Sequence, residues 1–285
     1  MKNNMLFWGD NIEVLNRLKT YYNLSNKIDL IYIDPPFATG NDFLWSDDMV
    51  RTISPSLKKS KVSYSDKFTL EEYISYMEIR IKIMYELLSD NGSFYYHIDD
   101  SKVHYVKIML DKIFGIENFK SNIIRIKCNP KNFKRNNYVN IKDHILFFTK
   151  TNSYIWNNVK IQDIWKFKDP QNPSYPTQKN NKLLELIIKN SSNENSIVLD
   201  PFAGSGVTLF EAEKLNRKWI GIDKSEISID NIKEKLDIDL FKSYNFFLLR
   251  GIIISNNKMH KYITITYKDK NILSILLLKD FLYQI

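Results

Sequence analysis

Two short strings combine residue types that suit the binding of a flat, amine-bearing ring beside a polar cofactor. The string Asp34-Pro35-Pro36-Phe37 offers a carboxylate, two residues without amide donors and an aromatic face. The string DPFAGSG at 200–206 offers an acid and a glycine turn before the helical pattern VTLFEAEKL. Free amides and the dipole at a helix start favour a charged or polar group. The two strings therefore indicate a ring-binding site next to a cofactor-binding site.

Apolar strands must position both strings. Each string follows a β-branched apolar run, which is typical of a buried parallel strand. Strands and helices alternate through most of the chain, and this predicts an α/β fold with a mainly parallel sheet. In open α/β sheets ligands bind at the carboxyl ends of the strands. Asp223 ends the strand pattern WIGID about 20 residues after the glycine turn, where nucleotide-binding folds place a carboxylate that accepts from ribose hydroxyls.

Periodicity and turn residues also predict the individual elements. We expect a strand over 5–9, a helix that begins at Asp10 or Asn11, and a strand over 28–33. A helix is predicted over 70–88 and a strand over 93–98, with Asp90-Asn91-Gly92 as the turn between them. Residues 38–67 have no sustained period and are predicted to form a long loop. The strand-end residues His97 and Asp99 stay outside the candidate site, because a buried, hydrogen-bonded histidine is the more frequent case.

Composition limits the class of protein. The chain has 285 residues, of which 44% are hydrophobic, enough for one sizeable core. No run of 18 apolar residues and no signal-peptide layout is present, so we expect a cytoplasmic protein with no membrane partner. Cys128 is the only cysteine, and neither it nor the histidines have the spacing of metal ligands. The net charge of +8 suits a polyanionic partner. The chain is also rich in Lys, Asn and Ile in general, so part of the lysine excess reflects overall composition rather than a partner.

In its motifs the chain resembles the β group of amino-methylating DNA methyltransferases of restriction–modification systems. Asp34 to Phe37 matches the catalytic D/N/S-P-P-Y/F motif, and Phe202-Ala203-Gly204-Ser205-Gly206 matches the F-x-G-x-G cofactor loop. The catalytic motif precedes the cofactor loop, and this order marks the β group. The strings GDNIEVLNRL, NGSFYYHIDD, YPTQKNNKLLELIIK and RKWIGIDKS extend the likeness from about residue 5 to about residue 236. Asn180 stands where the family often has proline, and the family does not lead us to expect residues 237–285.

The resemblance implies a fold, a cofactor and partners. The implied fold is the class I, Rossmann-like methyltransferase fold, a seven-stranded mixed sheet flanked by helices, formed by a catalytic domain over 1–236. The implied cofactor is S-adenosylmethionine, with Asp10 at its adenine amino group and Gln178 and Lys179 nearby; Asp200, Asp223 and the glycine loop complete the cofactor site. Double-stranded DNA is the implied substrate, and a cognate restriction endonuclease and a second copy of the chain are candidate partners. Residues 237–285 form an appendage without an assigned role.

The catalytic motif predicts direct methyl transfer without a metal or a covalent nucleophile. An exocyclic amino nitrogen is a poor nucleophile because its lone pair is delocalised into the ring. The Asp34 carboxylate and the Pro35 carbonyl can accept its hydrogens, while Phe37 stacks on the base after it is flipped from the duplex. Asp at the first motif position is more usual for adenine, which we favour over cytosine.

Two other classes of function stay open from the sequence. One is methylation of RNA or protein, and the other is a non-catalytic DNA-binding subunit, against which the intact motifs count. Segments 38–67 and 127–176 are predicted to recognise DNA. Each carries a basic cluster that is interpreted as phosphate contacts: Lys58, Lys59 and Lys61, and Lys131, Lys134 and Arg135.

Overall fold

The computed structural model describes residues 4–36, 69–127, 138–158, 160–170 and 178–236, and the backbone alone of short strands at 42–45, 61–65, 247–250 and 263–266. Phe37, Cys128 and the side chains of both basic clusters lie outside the described residues. The same is true of most of 237–285.

A mixed sheet of eight strands forms the centre of the described fold. Its strands are β1 (Met5–Trp8), β2 (Ile28–Ile33), β5 (Leu88–Ile98), β6 (Phe119–Ile126), β7 (Lys142–Thr149), β8 (Ile164–Trp165), β9 (Ile197–Asp200) and β10 (Lys218–Asp223). Two further antiparallel pairs join β3 (Asp42–Trp45) to β4 (Lys61–Ser65) and β11 (Phe247–Arg250) to β12 (Ile263–Thr266).

The order of strands in the sheet is β1-β10-β9-β2-β5-β7-β6-β8. The first five are all parallel, whereas β7 runs antiparallel to both of its neighbours. Strands β2 and β9, which carry the two motifs at their carboxyl ends, are neighbours although they are far apart in the chain. The sheet has one strand more than the seven expected, because the two-residue β8 pairs with β6 at the edge.

Six α-helices in the described residues cover the two faces of this sheet. They are α1 (Asn11–Thr20), α2 (Leu70–Leu87), α3 (Val103–Phe114), α4 (Asn181–Ser191), α5 (Val207–Lys214) and α6 (Glu226–Lys235). Alternate residues of each strand point to opposite faces, so Ile31 and Ile33 join the core beneath α1–α3. Leu30 and Tyr32 join the second core, beneath α4–α6.

Local side chains explain where the helices begin. Asp10 caps α1 by accepting a hydrogen bond from the Ile12 amide at 2.9 Å, which confirms the predicted start of this helix. Thr69 and Glu72 form a reciprocal capping box at the start of α2. None of the helices in the described ranges is long and apolar enough to cross a membrane.

The predicted turn at Asp90-Asn91-Gly92 is wrong, because these residues lie inside β5. The register of β5 advances from Leu88 to Ser93 while β2 advances only two positions, so the intervening residues form a bulge. Backbone amides of the 150–155 segment donate to the carbonyls of Asn91 and Gly92 at 3.1 Å, and these bonds hold the bulge in place at the start of β5. The predicted loop at 38–67 also contains the paired strands β3 and β4.

Candidate active site

The carboxyl ends of β1, β10, β9 and β2 meet at one edge of the sheet and form a cleft. Because these strands are parallel neighbours, the residues that follow them come together although the chain separates them widely. The cleft is lined by these predicted site residues: Asp10, Asp34, Pro36, Lys179, Asp200, Phe202, Ala203, Gly204, Ser205 and Asp223. Pro35, Gln178 and Gly206 adjoin the cleft in sequence without lining it, and Phe37 lies outside the described residues.

Asp34 directly follows β2 and has two differently placed carboxylate oxygens. Its Oδ2 lies 2.9 Å from the Lys179 ammonium nitrogen. Its Oδ1 is buried and has no hydrogen-bond partner within the described part of the chain. A buried polar atom without a partner costs stability, so this oxygen is an acceptor available to a ligand.

Lys179 is positioned by the start of α4. The Asn180 side-chain oxygen caps this helix by accepting from the Lys182 backbone amide at 2.9 Å. The Asn180 side-chain nitrogen, Nδ2, donates to the Lys168 carbonyl at 2.8 Å. The departure from the family's usual proline therefore gives a helix cap that also ties the turn to a neighbouring segment. This places Lys179 opposite Asp34.

The glycine loop after β9 is tied to the end of β10 by Asp223. The two Asp223 oxygens accept from the amides of Gly204 and Ser225, each at 2.8 Å. Gly206 begins α5 with a φ of 72°, a left-handed conformation that favours glycine. A Cβ there would also lie 2.7 Å from Ile232 Cγ1. The loop is therefore shaped by its glycines and held by Asp223.

Electrostatics in the cleft favour a cationic ligand. Burial raises the pKa of Asp200 to about 7, although its carboxylate accepts from the Phe202 amide at 3.0 Å. Burial also raises the pKa of Asp223. Asp34 adds a third carboxylate to the same cleft. Positive charge on a ligand would stabilise the ionised forms of these buried acids.

Asp10 and Tyr76 of α2 also line the cleft; Asp10 was predicted from the sequence, and the α2 residues were not. Arg80 donates from Nε to Asn11 Oδ1 at 2.6 Å, and its Nη2 lies 3.4 Å from Asp10 Oδ1. The Arg80 guanidinium carbon lies 3.4 Å from the centroid of the Tyr76 ring, and Tyr76 lines the cleft. Arg80 could have been found from the sequence because it falls on the apolar face of α2, between Met77 and Met84.

A buried polar cluster behind Asp34 was also missed. His97 is fully buried, as predicted; its Nε2 lies 3.3 Å from Asp143 Oδ2, and the same oxygen accepts from Arg125 Nη1 at 3.1 Å. Arg125 also bonds to Asp169 and donates to the Phe167 carbonyl. The signal was the position of Arg125, which shares the inward face of β6 with Ile123.

The part of the chain that the structure describes contains no group of three or more His, Cys, Asp or Glu side chains placed to hold a metal ion. The acids of the cleft are instead used in hydrogen bonds with backbone amides or in the ion pair with Lys179.

The sequence profile of a DNA methylase family, N6_N4_Mtase, matches residues 28–234, and the chain belongs to this family. A similar protein is the type II methyltransferase M.EcaI of Enterobacter cloacae, which is 29% identical over 329 residues, covering 82% of this chain and 70% of that protein. The resemblance inferred from the motifs is thereby confirmed, and the protein is a DNA amino-methyltransferase.

Solved structures of DNA methyltransferases have the same fold. The complex of M1.HpyAVI with SAM superposes with a TM-score of 0.58 at 23% identity, covering 82% of this chain and 99% of that one. The cytosine-N4-specific PvuII DNA methyltransferase superposes with a TM-score of 0.61 at 16% identity, covering 84% and 88%. The predicted class I, Rossmann-like methyltransferase fold is confirmed.

Proposed function

We propose that the protein is a site-specific DNA methyltransferase that transfers a methyl group from S-adenosylmethionine to the 6-amino group of adenine in duplex DNA. The observation that carries the proposal is the buried, unpartnered Oδ1 of Asp34, which lies in the same cleft as the glycine loop. An acceptor beside a cofactor loop is what transfer to an amino group needs. No covalent nucleophile is required.

The cleft residues fit S-adenosylmethionine. Gly204 and Gly206 have positive φ and shape the loop before α5, Asp223 presents a carboxylate beside it, and the buried acid Asp200 favours a cation. When bound, the cofactor supplies an electrophilic methyl group on a positively charged sulfur. The presence of SAM in the neighbouring M1.HpyAVI structure supports this assignment.

Catalysis by the chain consists of positioning and electrostatic stabilisation. Asp34 Oδ1 and the Pro35 carbonyl accept the two hydrogens of the amino group, which turns the nitrogen lone pair out of the ring plane. As the nitrogen–methyl bond forms, the sulfur–methyl bond would break and leave a neutral thioether. The negative charge of Asp34 stabilises the positive charge that develops on the nitrogen, which then loses one proton to Asp34 and from there to solvent. Phe37 stacks on the flipped base, and this contact offsets the stacking lost from the duplex.

Adenine is the proposed base because the motif begins with Asp34. The second candidate is the 4-amino group of cytosine, since the family name covers both reactions and the PvuII enzyme is cytosine-N4-specific. Digestion of methylated DNA and mass spectrometry of its nucleosides distinguishes N6-methyladenine from N4-methylcytosine. Exclusive N4-methylcytosine would overturn the adenine assignment and leave the mechanism unchanged.

The central test is Asp34→Ala. Loss of the acceptor should lower the single-turnover methylation rate by about 100-fold or more, as removal of one positioned polar group does in other enzymes. DNA affinity should persist, because most of it comes from phosphate contacts made elsewhere. The assay uses saturating duplex DNA and cofactor, with DNA affinity measured separately.

A matched control is Asp99→Ala, which removes a carboxylate from the end of the neighbouring strand β5. Asp99 accepts from the Ser101 amide and hydroxyl rather than lining the cleft. This variant should methylate DNA within a few-fold of the wild-type rate. Wild-type-like methylation by Asp34→Ala would contradict the proposed mechanism.

Duplex DNA is the proposed substrate rather than RNA or protein. The points at which the two recognition segments begin support it: segment 38–67 begins after the end of β2, and segment 127–176 begins at the end of β6, which runs in the same sense as β5. Both segments therefore leave the sheet at the edge where the cleft lies. Methyl transfer to RNA or protein but not to duplex DNA in a filter assay would contradict the substrate assignment.

A homodimer and a cognate restriction endonuclease stay predictions from the family resemblance. Light scattering of the protein, alone and on DNA, tests the first. A monomer under both conditions would exclude it.

A further inference from the structure

His97, near the end of β5, lies beside the end of β2 and beside Asp34, and it does not line the cleft. Its Nδ1 lies 2.8 Å from the Tyr32 hydroxyl oxygen and 3.9 Å from Asp34 Oδ1. Its Nε2 lies 3.3 Å from Asp143 Oδ2. The ring is thus placed between the carboxylate that carries the proposed chemistry and a second carboxylate that does not line the cleft.

Asp143 determines which nitrogen of His97 carries the hydrogen. Arg125 and Lys127 donate to its two oxygens at 3.1 and 2.7 Å. Burial alone would raise the pKa of Asp143, but the hydrogen bond from His97 and the nearby cations hold this pKa well below its usual range. An ionised carboxylate only accepts, so Nε2 of His97 must donate to it. In the neutral ring Nδ1 is then an acceptor, and the Tyr32 hydroxyl donates to it.

We propose that His97 is a positioning residue for methyl transfer, held in the neutral Nε2–H form by Asp143 and Tyr32 so that Asp34 Oδ1 is left available to the target amino group. The inference rests on the proposed function, because it gives a reason for the unpartnered state of Oδ1. A neutral Nδ1 offers that oxygen no hydrogen. A protonated ring would offer one from 3.9 Å, and a small rotation of Asp34 would convert the contact into an ion pair that occupies the acceptor.

The surroundings of His97 set the direction of the pH effect. Burial lowers its pKa from the ordinary value of 6.5, against the opposing charge of Asp34. The neutral form is therefore the one present at pH 7, and methylation should be lost as the pH falls through the His97 pKa. The titratable and charged groups that face this ring or its partners are Tyr32, Asp34, Arg125, Lys127, Asp143, Asp169 and Lys179.

The first test is the pH profile of single-turnover methylation between pH 5 and 8 with saturating DNA and cofactor. The wild-type rate should fall about tenfold per pH unit below the His97 pKa. His97→Gln should methylate more slowly and lose this acid limb. Asp200 also titrates near this range, so Asp200→Asn is measured in parallel and should keep the limb that belongs to His97. An acid limb retained unchanged in His97→Gln would overturn the proposal.

The second test does not depend on activity or on the folding of a His97 variant. Nitrogen chemical shifts of ¹⁵N-histidine in the wild-type protein report the tautomer of each ring, with His97 assigned by the signal altered most in Tyr32→Phe. At pH 8 they should show the Nε2–H form; the Nδ1–H form or a protonated ring would overturn the proposal.

The experiments distinguish failure of the proposed function from failure of the role proposed for His97. Absence of DNA methylation by the wild-type protein would remove the proposed function, and full activity of Asp34→Ala would remove the role of Asp34; both outcomes leave the tautomer of His97 as described. An inactive Asp34→Ala together with an unaltered acid limb in His97→Gln would overturn the role of His97 alone.

Discussion

At the scale of single residues, we expect Asp223 to combine a structural role with cofactor binding, so that one substitution removes both. Its oxygens accept from the amides of Gly204 and Ser225 and from the Ser228 side chain, and the carboxylate retains capacity to accept from a ribose hydroxyl. Asp223→Ala should weaken S-adenosylmethionine binding about tenfold or more, since charge-assisted bonds of about 1.5 to 3 kcal/mol are lost. Titration calorimetry measures this. Asp230→Ala, which removes an exposed acid of α6, is the control and should bind normally; unchanged affinity in folded Asp223→Ala would remove Asp223 from the site.

Asp200 predicts a dependence of stability on pH. Its pKa is raised from 3.8 to about 7 in the folded protein, so the folded state binds a proton that the unfolded state releases between these values. Its contribution to stability is therefore present at low pH and falls as the pH rises towards 7. Asp200→Asn, an uncharged isostere, should gain stability relative to wild type between pH 5 and pH 8, by roughly 3 kcal/mol at most. Urea unfolding at both pH values tests this, and equal differences at both would contradict it.

The sequence predicted the carboxylates and the glycine loop that line the cleft, but it did not predict the buried charged cluster beside Asp34. Asp34 and the glycine loop follow apolar runs directly, so local pattern was enough to predict where they lie. Asp143 and Arg125 gave only a weak signal because a charged residue in a strand usually faces solvent. Arg125 and Asp143 pair because β6 and β7 lie side by side in the sheet. The periodicity of either segment alone does not predict that pairing.

At the scale of elements, the turn between β9 and α5 depends on backbone conformation. Gly206→Ala should lower the melting temperature and weaken cofactor binding, because left-handed backbone in a residue with a Cβ costs roughly 1 to 3 kcal/mol and the Cβ would press on Ile232. Gly115→Ala is the matched control: this glycine also has a positive φ, of 88°, and ends α3, outside the glycine loop. It should lower the melting temperature and leave cofactor affinity unchanged. Normal cofactor binding by Gly206→Ala would contradict the role of the turn.

Elements whose ends are fixed by local chemistry were predicted well. Strand β2 has the expected bounds, and α1 begins at its Asp10 cap. The start of β5 was missed because Asp90-Asn91-Gly92 has the composition of a turn, yet its carbonyls are bonded by a segment some sixty residues further along the chain. Strand β8 has only two residues, too few for a periodic signal.

At the scale of the whole molecule, sequence specificity is expected to reside in segments that leave the cleft edge of the sheet. Exchange of 38–67, or of 127–141 with the connection after β7, for the segments of a related enzyme should change the DNA sequence that is methylated. Sequencing of modified bases in a methylation-free host measures this. Exchange of 192–196, which precedes β9 at the opposite edge, is the control and should leave the methylated sequence unchanged. An unaltered sequence after both exchanges would exclude these segments as the determinants.

The adjacency of β2 and β9 has an evolutionary consequence. The two strands carry the catalytic and cofactor motifs and are joined by backbone hydrogen bonds between Leu30–Ile31 and Val198–Leu199, a link that does not depend on which strand is translated first. A rearranged gene that encoded the residues of β9–α6 ahead of those of β1–β5 would specify the same neighbours and the same cleft. Motif order can therefore diverge among descendants of one ancestor by permutation of gene segments, while the chemistry of the site is inherited intact.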